Sequence, residues 1–288
     1  MPTFRDSARA INVFRAAARV NWADRRRRGN VVVLPRKGDA FVSGDLHGNW
    51  NNFARVREIA DLGRNSRRHL IFQEVLHGGG MTEKGACLSF QVLEEVAQLI
   101  TEFPDRVHMV LANHDCAEIT DHGIAKSGVV LNLSFFDGLR YSYGDEAGVV
   151  REYLREFLLS IPLAIRTKPG VFICHSLPNR EGLQYFDASV FKRRLVEEDM
   201  ETHGSAFDLV WGRELTEEIA QVFARVVGAD FFLVGHTPCE NGFQIANSRT
   251  IIIDTKDENA KYMIVPLDRK LDLKGLRDCI RPLYTYPS

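Results

Sequence analysis

The sequence has few of the features that hold disulfide-rich proteins together. Its 288 residues include only five cysteines, an odd number, and no two of them form a Cys-x-x-Cys pair. They are scattered along the chain as Cys87, Cys116, Cys174, Cys239 and Cys279. This pattern argues against a disulfide framework and predicts reduced thiols in a cytoplasmic protein.

Long apolar runs are also missing. The charged residues Arg5, Asp6, Arg9 and Arg15 interrupt the segment that follows Met1, which argues against a secretion signal. No uncharged apolar run elsewhere is long enough to span a bilayer. We therefore predict a soluble, intracellular protein without a membrane segment.

An excess of charge of one sign is the third absence. The 37 lysines and arginines nearly balance the 38 aspartates and glutamates, which leaves a formal net charge of −1. A near-neutral chain has no general electrostatic attraction to nucleic acid or to a membrane surface. Nucleic acid and membranes are therefore not expected partners, and the oligomeric state stays open.

Apolar residues are plentiful and follow strand-like and helix-like patterns in turn. They make up 45% of the sequence, enough for a sizeable core. Strands are predicted at residues 31–34, 40–42, 69–72, 107–111, 171–174, 231–234 and 251–253. Helices are predicted at residues 3–24, 50–62, 86–103, 147–160, 188–199, 214–228 and around 273–280. Strands that alternate with helices predict an α/β protein with a layered sheet core.

Polar residues recur at the carboxyl ends of five of these predicted strands. Those of metal-ligand type are Asp45, His47, Glu74, Asn113, His175 and His236. In open α/β folds, ligands bind beyond the carboxyl ends of strands, so we expect these loops to converge on one site. A lone strand-end histidine is more often structural, and the prediction therefore depends on the five elements taken together.

The mixture of ligand types indicates which ions the site would take. Asp45 and His47 stand two residues apart, so both can face one ion from a turn, and the carboxylate of Glu74 could bridge two ions. Mixed oxygen and nitrogen ligands suit Mn, Fe or Zn better than Ca or Mg. Two close metals would polarise a phosphoryl oxygen and lower the pKa of a bound water.

These motifs, in this order, resemble those of the calcineurin-like metallophosphoesterases. The resemblance is greatest to the branch of Ser/Thr-type protein phosphatases and bacterial relatives that includes the diadenosine tetraphosphatases. The family has Gly-Asp-x-His-Gly, Gly-Asp-x-x-Asp-Arg-Gly, Gly-Asn-His-Glu, a lone His after a strand, and Gly-His. Order and spacing match from about residue 38 to 265. The resemblance implies a central β-sandwich flanked by helices, with a dinuclear metal site at the carboxyl ends of the strands.

The resemblance also assigns roles, residue by residue. Asp45 and His47 would bind the first metal, Glu74 would bridge, and Asn113, His175 and His236 would complete the second. His114 corresponds to the histidine that protonates the leaving group. Arg213, in Trp211-Gly212-Arg213, resembles the arginine of a bacterial Trp-x-Arg segment and is a candidate phosphate ligand. A surface salt bridge is the alternative for Arg213.

The second motif departs from the family's pattern. Gln73-Glu74-Val75-Leu76-His77-Gly78-Gly79 stands in place of Gly-Asp-x-x-Asp-Arg-Gly. Glu74 keeps the bridging carboxylate, one methylene longer. His77 replaces the aspartate that orients the catalytic histidine, so it is a candidate catalytic residue or an extra ligand, and Asp115 is a candidate partner for His114 in its place.

The family's phosphate-clamping arginine is replaced by Gly78. Losing a bidentate clamp should weaken phosphate positioning. The three glycines at 78–80 could offer backbone N–H groups as an anion nest, with Lys84 or Arg213 supplying charge. A plain flexible loop is the alternative.

We predict a single domain over residues 1–288, because no repeat, low-complexity tract or linker interrupts the chain. Its core covers about 38–265, with the N-terminal helix 3–24 before it and an extension, 266–288, after it. The segments 117–150 and 177–210 are expected to cover the site and to set its selectivity.

The predicted function is hydrolysis of phosphomonoesters by attack of a metal-activated water. The expected cofactors are two divalent ions, Mn with Fe and Zn as alternatives. The expected partner is a phosphorylated substrate, either a phosphoprotein or a small phosphoester or nucleotide. The alternative is a catalytically weak metal- and phosphate-binding regulatory protein, a pseudophosphatase, which the loss of the Asp-Arg pair favours. A third reading is a sheet that has lost its metals and is only structural.

Overall fold

Two β-sheets form the centre of the fold in the computed structural model, which describes residues 4–126 and 128–285. The strands are β1 Arg27–Arg28, β2 Val31–Val33, β3 Asp39–Asp45, β4 Arg68–Gln73, β5 Val107–Met109, β6 Ala125–Lys126, β7 Val129–Val130, β8 Ala164–Arg166, β9 Val171–Cys174, β10 Phe231–Val234, β11 Phe243–Ile245, β12 Thr250–Ile253, β13 Lys261–Pro266 and β14 Ile280–Pro282. Residues 1–3, 127 and 286–288 of the predicted domain lie outside the described residues.

Helices cover the outer faces of these sheets. They are α1 Ser7–Ala23, α2 Trp50–Ala60, α3 Phe90–Glu102, α4 Asn113–Thr120, α5 Leu131–Tyr143, α6 Ala147–Leu159, α7 Arg180–Tyr185, α8 Glu197–Met200, α9 Ser205–Trp211, α10 Glu217–Val227 and α11 Leu273–Arg277. Two short 3₁₀ turns add Gly144–Glu146 and Ala188–Phe191. No helix within the described ranges combines the length and the apolar character that crossing a bilayer requires.

The first sheet has seven strands in the order β1-β2-β8-β9-β10-β12-β11, and the second has five in the order β14-β13-β3-β4-β5. β3, β4 and β5 run parallel to one another, and so do β9, β10 and β12. Parallel neighbours bring their carboxyl ends to the same edge of a sheet. An isolated bridge between Asp45 and Asp254 joins the two sheets at that edge.

The side chains of β3 show how the two sheets pack. Ala40 and Val42 face an interior cluster that also contains Ile71 of β4 and Leu233 of β10. Phe41, between them, points to the other face and joins the cluster that the helices cover. Alternate residues of a strand face opposite sides, so this pattern places β3 between the first sheet and a helical layer. The prediction of an α/β sandwich flanked by helices is confirmed.

All seven predicted strands are present, but the prediction of one helix over residues 188–199 is wrong. The chain forms a 3₁₀ turn at Ala188–Phe191 and the separate short helix α8. Asp187 accepts from the backbone N–H of Ser189, and Asp199 accepts from that of Val196. Aspartate side chains that bond nearby backbone groups compete with a continuous helix, which explains the break.

Several elements were not predicted. Among them are the helices α4, α5 and α9 and the inner strand β13, which have no counterpart among the predicted elements. In α5, Phe135, Phe136 and Gly138 lower the intrinsic helix propensity, so packing against the core decides its structure. The segment predicted as an extension beyond residue 266 adds α11 and β14, and β14 pairs with β13.

A pair of histidines is buried at the amino ends of β4 and β5, away from the strand ends that carry the predicted ligands. His69 Nδ1 lies 3.3 Å from His108 Nε2, and His108 Nδ1 lies 3.7 Å from Asp24 Oδ2. Burial, helped by the nearby Arg26, lowers the pKa of His69 to about 4. Burial, helped by His69, lowers the pKa of His108 to about 3.

This pair should make the stability of the protein pH-dependent. The unfolded chain takes up protons near pH 6.5 while the folded chain does not, so stability is complete above that pH and falls as the pH drops towards 4. The loss reaches up to about 2 kcal/mol for each ring at pH 5.

Urea unfolding at pH 7.5, 6 and 5 measures this effect. The free energy of unfolding of the double variant His69→Gln/His108→Gln should depend less on pH than that of the wild type. The variant His203→Gln, which removes an exposed imidazole, should keep the wild-type profile. Parallel profiles for all three proteins would contradict the prediction.

Candidate metal centre

The carboxyl ends of β3, β4, β9 and β10 and the first turn of α4 meet at one edge of the sandwich. β3 ends at Asp45, Glu74 follows β4, His175 follows β9 and His236 closely follows β10. Asn113 is the first residue of α4, just beyond β5. The fold therefore brings the six predicted ligands together from five separate stretches of sequence.

These side chains form two groups with the geometry to hold a metal ion. Asp45, His47 and Glu74 make one group, and Glu74, His175 and His236 make the other, with the ligand atoms of each group within 4.8 Å of one another. Glu74 Oε2 lies 3.4 Å from His47 Nε2 and 3.5 Å from His175 Nε2. Glu74 belongs to both groups, which is the arrangement that a bridging carboxylate requires.

Asn113 connects the two histidines of the second group. Its Oδ1 lies 2.8 Å from His175 Nε2 and 3.0 Å from His236 Nδ1. The other ring nitrogens, His175 Nδ1 and His236 Nε2, are buried and have no hydrogen-bond partner within the described residues. Asp45 Oδ1 is in the same situation, while Asp45 Oδ2 accepts from the backbone N–H of His236 at 2.8 Å.

The charges of the cluster fit a cation. Burial, together with repulsion from Asp254, raises the pKa of Asp45 to about 7, and burial beside Asp45 raises the pKa of Glu74 well above its usual range. Burial lowers the pKa of His175 well below its usual range and that of His236 to about 3. Crowded carboxylates and neutral imidazoles with unused lone pairs are the donor set of a divalent transition metal.

Several residues of the cluster have a strained backbone. His47, Glu74, His77 and His236 all have positive φ values, between 32° and 64°. Such a conformation costs about 1–3 kcal/mol for a non-glycine residue and persists only where the surroundings impose it. At His47, Glu74 and His236 this backbone conformation accompanies side chains that meet in the ligand groups.

His47 is oriented by the loop that contains His77. Its Nδ1 lies 2.9 Å from the carbonyl oxygen of His77 and 3.2 Å from that of Leu76, so this nitrogen donates to the backbone. The lone pair is then on Nε2, the atom that faces Glu74. A backbone acceptor behind a histidine fixes the tautomer that a metal ligand needs.

His114 lies at the edge of the cluster, and the carboxylate of its neighbour Asp115 caps the start of α4. His114 Nε2 is 3.8 Å from Glu74 Oε1, and its ring centroid is 5.4 Å from that of His47. Asp115 Oδ2 accepts from the backbone N–H of Ala112, at the start of α4. Burial raises the pKa of Asp115 to about 7. Asp115, the third residue of α4, therefore caps the helix from within its first turn, as acidic residues at this position often do.

His77 points away from the two ligand groups. It belongs to neither of them, and its Nε2 lies 3.2 Å from Oε1 of Glu118, a buried residue of α4. Glu118 was missed by the sequence analysis. Its spacing from His114, four residues along one helix, was a signal, because such residues share a helix face.

Arg213 reaches the cluster from the loop after α9. Its Nη1 donates to the carbonyl oxygen of His236 at 3.1 Å, and its charge lowers the pKa of both His236 and Asp45. In the described part of the chain Arg213 takes part in none of the salt bridges. An exposed guanidinium beside the ligand cluster is available to an anionic group.

The glycines after His77 are packed, not free. A Cβ on Gly79 would lie 2.0 Å from the carbonyl oxygen of Gly48, and one on Gly78 would lie 2.8 Å from that of His47. Both glycines also have positive φ values, of 64° and 133°. The backbone of this loop therefore crosses His47 and Gly48 at a distance that side chains do not allow. This close packing argues against the plain flexible loop.

Asp254 is a second residue that the sequence analysis missed. It follows β12 and bridges to Asp45, and its carboxylate accepts from the backbone N–H groups of Cys239 and Lys256. Its position directly after the apolar run 251–253 could have identified it, because the predicted ligands also follow apolar runs. Its main effect on the cluster is to raise the pKa of Asp45.

Solved structures that share this fold include protein phosphatases. A protein serine/threonine phosphatase from Saccharomyces cerevisiae matches with a TM-score of 0.69 and 15% identity, covering 99% of this chain and 92% of that one. A cold-active protein-tyrosine phosphatase from a psychrophilic Shewanella species matches with a TM-score of 0.56 and 14% identity, covering 92% and 84%. At these identities the likeness concerns the fold.

Comparisons with curated proteins and with protein-family models gave different results. A search of curated proteins found no match. The model of the calcineurin-like phosphoesterase family matches residues 40–244, most of the chain, and this range contains all nine predicted site residues. The chain belongs to the calcineurin-like phosphoesterase family.

Proposed function

We propose that this protein is a metal-dependent phosphomonoesterase whose site is built on Glu74. The observation that carries the proposal is the position of this buried carboxylate in both ligand groups. Family membership supports phosphoester hydrolysis in general. A pair of divalent ions, when bound, supplies the charge that polarises a phosphoryl oxygen and lowers the pKa of water.

The remaining roles belong to side chains around the cluster. Asp45, His47 and Glu74 would hold one ion, and Glu74, Asn113, His175 and His236 the other. Mn is proposed for both positions because the donors are mixed oxygens and nitrogens, with Fe and Zn as the ions to test against it. Arg213 would bind the phosphate, and His114 would protonate the leaving group.

The substrate is proposed to be a phosphorylated protein or a small phosphoester. The two kinds of structural neighbour are described as protein phosphatases, which supports the first class. Trp211 lies with its ring centroid 6.3 Å from that of His236, and Phe207 stacks on Trp211 at 5.5 Å. This aromatic surface supports an aryl phosphate as the assay substrate.

The five unpaired cysteines support a reducing compartment, which we propose to be the cytoplasm.

A second candidate function is a regulatory protein that binds metal and phosphate without efficient turnover. Gly78 favours it, because the resemblance places a phosphate-clamping arginine at this position. A side chain on Gly78 would collide with the carbonyl oxygen of His47, so the loop has no room for that arginine. Phosphate binding would then depend on Arg213.

Metal content and turnover, measured together, separate the two functions. The purified protein should contain close to two equivalents of Mn, Fe or Zn and should hydrolyse p-nitrophenyl phosphate when Mn is supplied. The variant Asp45→Asn should lose metal and turnover, while Asp268→Asn, which changes an exposed aspartate, should lose neither. Bound metal without turnover on any phosphoester would favour the regulatory protein, and a protein that binds no metal would contradict both.

A further inference from the structure

A buried polar chain leads from the ligand cluster into the helical layer. His114 contacts Glu74, the ring centroid of His77 lies 4.9 Å from that of His114, and His77 Nε2 lies 3.2 Å from Glu118 Oε1. The side chains of His77 and Glu118 have no solvent exposure. The chain therefore connects the proposed leaving-group acid to a carboxylate inside the protein.

Glu118 is held at both of its oxygens. Asn132 Nδ2 donates to Oε1 at 2.9 Å, and Arg151 Nη2 donates to Oε2 at 3.2 Å. Arg151 also donates to Asp121 at 2.7 Å, so its guanidinium is itself fixed. A buried carboxylate held by an amide donor and a paired arginine has one defined position.

The ring of His77 contacts two other rings and one carboxylate. Its centroid lies 4.9 Å from that of His114 and 5.2 Å from that of Phe135, with an interplanar angle of 32° to Phe135. Neither ring nitrogen of His77 completes a hydrogen bond within the described residues, and Glu118 Oε1 is the charged atom beside Nε2. The carboxylate at 3.2 Å from Nε2 and the two neighbouring rings together determine how the His77 ring sits against His114.

Because Glu118 and His114 both lie on α4, the position of one is linked directly to that of the other. His114 and Glu118 are one helical turn apart on the same helix, so they keep a constant separation. His77 fills the space beside both side chains. A buried ion pair such as Glu118 with Arg151 gives little net stability, since an apolar pair of the same volume is often as stable. Stability alone therefore does not explain why Glu118 and Arg151 form an ion pair here.

We propose that Glu118, acting through His77, positions the ring of His114 towards the leaving group and so supplies the orienting carboxylate that residue 77 lacks. The proposal rests on the proposed function of the site. Glu118 and His77 are positioning residues, and His114 is the group that contacts the substrate. The segment from α4 to α6, which provides Glu118, Asn132, Phe135 and Arg151, then contributes to catalysis.

Two substrates that differ in their leaving groups test this role. p-Nitrophenolate leaves without a proton, whereas the serine alkoxide of O-phosphoserine needs one, so a misplaced acid slows only the second substrate strongly. Glu118→Gln should lower kcat for O-phosphoserine about 100-fold and kcat for p-nitrophenyl phosphate less than about 3-fold, with KM unchanged. His77→Asp in the same background should restore kcat for O-phosphoserine, because it places a carboxylate beside His114.

Two further variants serve as controls. Glu94 is another buried glutamate that pairs with an arginine, Arg5, but it lies away from the cluster, so Glu94→Gln should slow neither substrate selectively. His77→Asn leaves the Glu118–Arg151 pair intact and should give the same selective loss as Glu118→Gln if the latter does not fold. Equal loss on both substrates, or no loss, would overturn the proposal.

The imidazole ¹H–¹⁵N signals of the metal-free protein give a readout that does not depend on turnover. Glu118→Gln should shift the signals of His77 and His114, and Glu94→Gln should leave them in place. Unchanged His114 signals would overturn the proposal even in an active enzyme. A wild-type protein that hydrolyses neither substrate would instead contradict the proposed function, and the signals alone would then decide whether Glu118 positions His114.

Discussion

Glu74→Gln is expected to abolish metal-dependent turnover and, at the same time, to stabilise the metal-free protein. Glu74 is shared by the two ligand groups, so its neutral isostere should weaken both sites together. Loss of the metal charge from a phosphoryl-transfer site corresponds to several kcal/mol of barrier, or a decrease in kcat of about 1,000-fold or more.

The gain in stability follows from the same geometry. Burial and the neighbouring Asp45 raise the pKa of Glu74 well above its usual range, which means that the ionised carboxylate is unfavourable in the folded protein without a cation. Glutamine removes that charge and keeps the volume. We expect the free energy of unfolding of the metal-free variant to rise by about 1–2 kcal/mol, in line with other exchanges of activity for stability at strained sites.

Metal analysis, turnover and thermal unfolding of the same preparations check this prediction. Glu94→Gln is the matched control, because Glu94 is equally buried but bonds to Arg5 and Tyr143. It should lower stability and leave the metal content unchanged. If Glu74→Gln retained two metals, or if its metal-free form were less stable than the wild type, Glu74 would not be the shared ligand.

Gly235→Ala is expected to impair the site by displacing Asp45. A Cβ at residue 235 would lie 2.0 Å from Asp45 Oδ1, a buried oxygen without a hydrogen-bond partner among the described residues. The carboxylate would have to move by about 1 Å or more, and a misplacement of that size in a catalytic site lowers turnover about 100-fold. The affinity for the metal should fall with it, because ligand position determines coordination.

The control for this variant is Gly148→Ala in α6. Apart from its chain neighbours and the backbone of its own helix, nothing lies within 4 Å of a Cβ built there, and alanine in a helix is more stable than glycine by about 0.5–1 kcal/mol. The control should therefore unfold at a higher temperature with unchanged activity. Titration of Mn against both variants, followed by turnover of p-nitrophenyl phosphate, measures the two effects. An unaltered Mn affinity in Gly235→Ala would show that Asp45 does not depend on this close contact.

Most of the candidate site could be predicted because its residues follow a local rule. Each candidate ligand follows an apolar run closely, and the parallel strands of each sheet end at one edge, so residues far apart in sequence are expected to lie near one another. Asp254 obeys the same rule and was missed because it lies in no motif that the family shares.

The structure of the loop after Glu74 could not be predicted from its local sequence. Its sequence allowed an anion nest or a flexible loop, because three glycines are compatible with both. The structure shows the backbone of Gly79 crossing that of Gly48, a contact between two segments that only the assembled sheet brings together. In the same way, the break between residues 188 and 199 depends on which aspartates cap which turns.

The sequence by itself determined the class of fold, the edge at which chemistry collects and the types of side chain present there. These follow from residue periodicity and from the donor atoms of each side chain, which are properties of short segments. The tertiary structure alone decided that Glu118 faces His77 and that Asp115 caps a helix. Those facts depend on the register of α4 against the strand-end loops, and packing between distant segments sets that register.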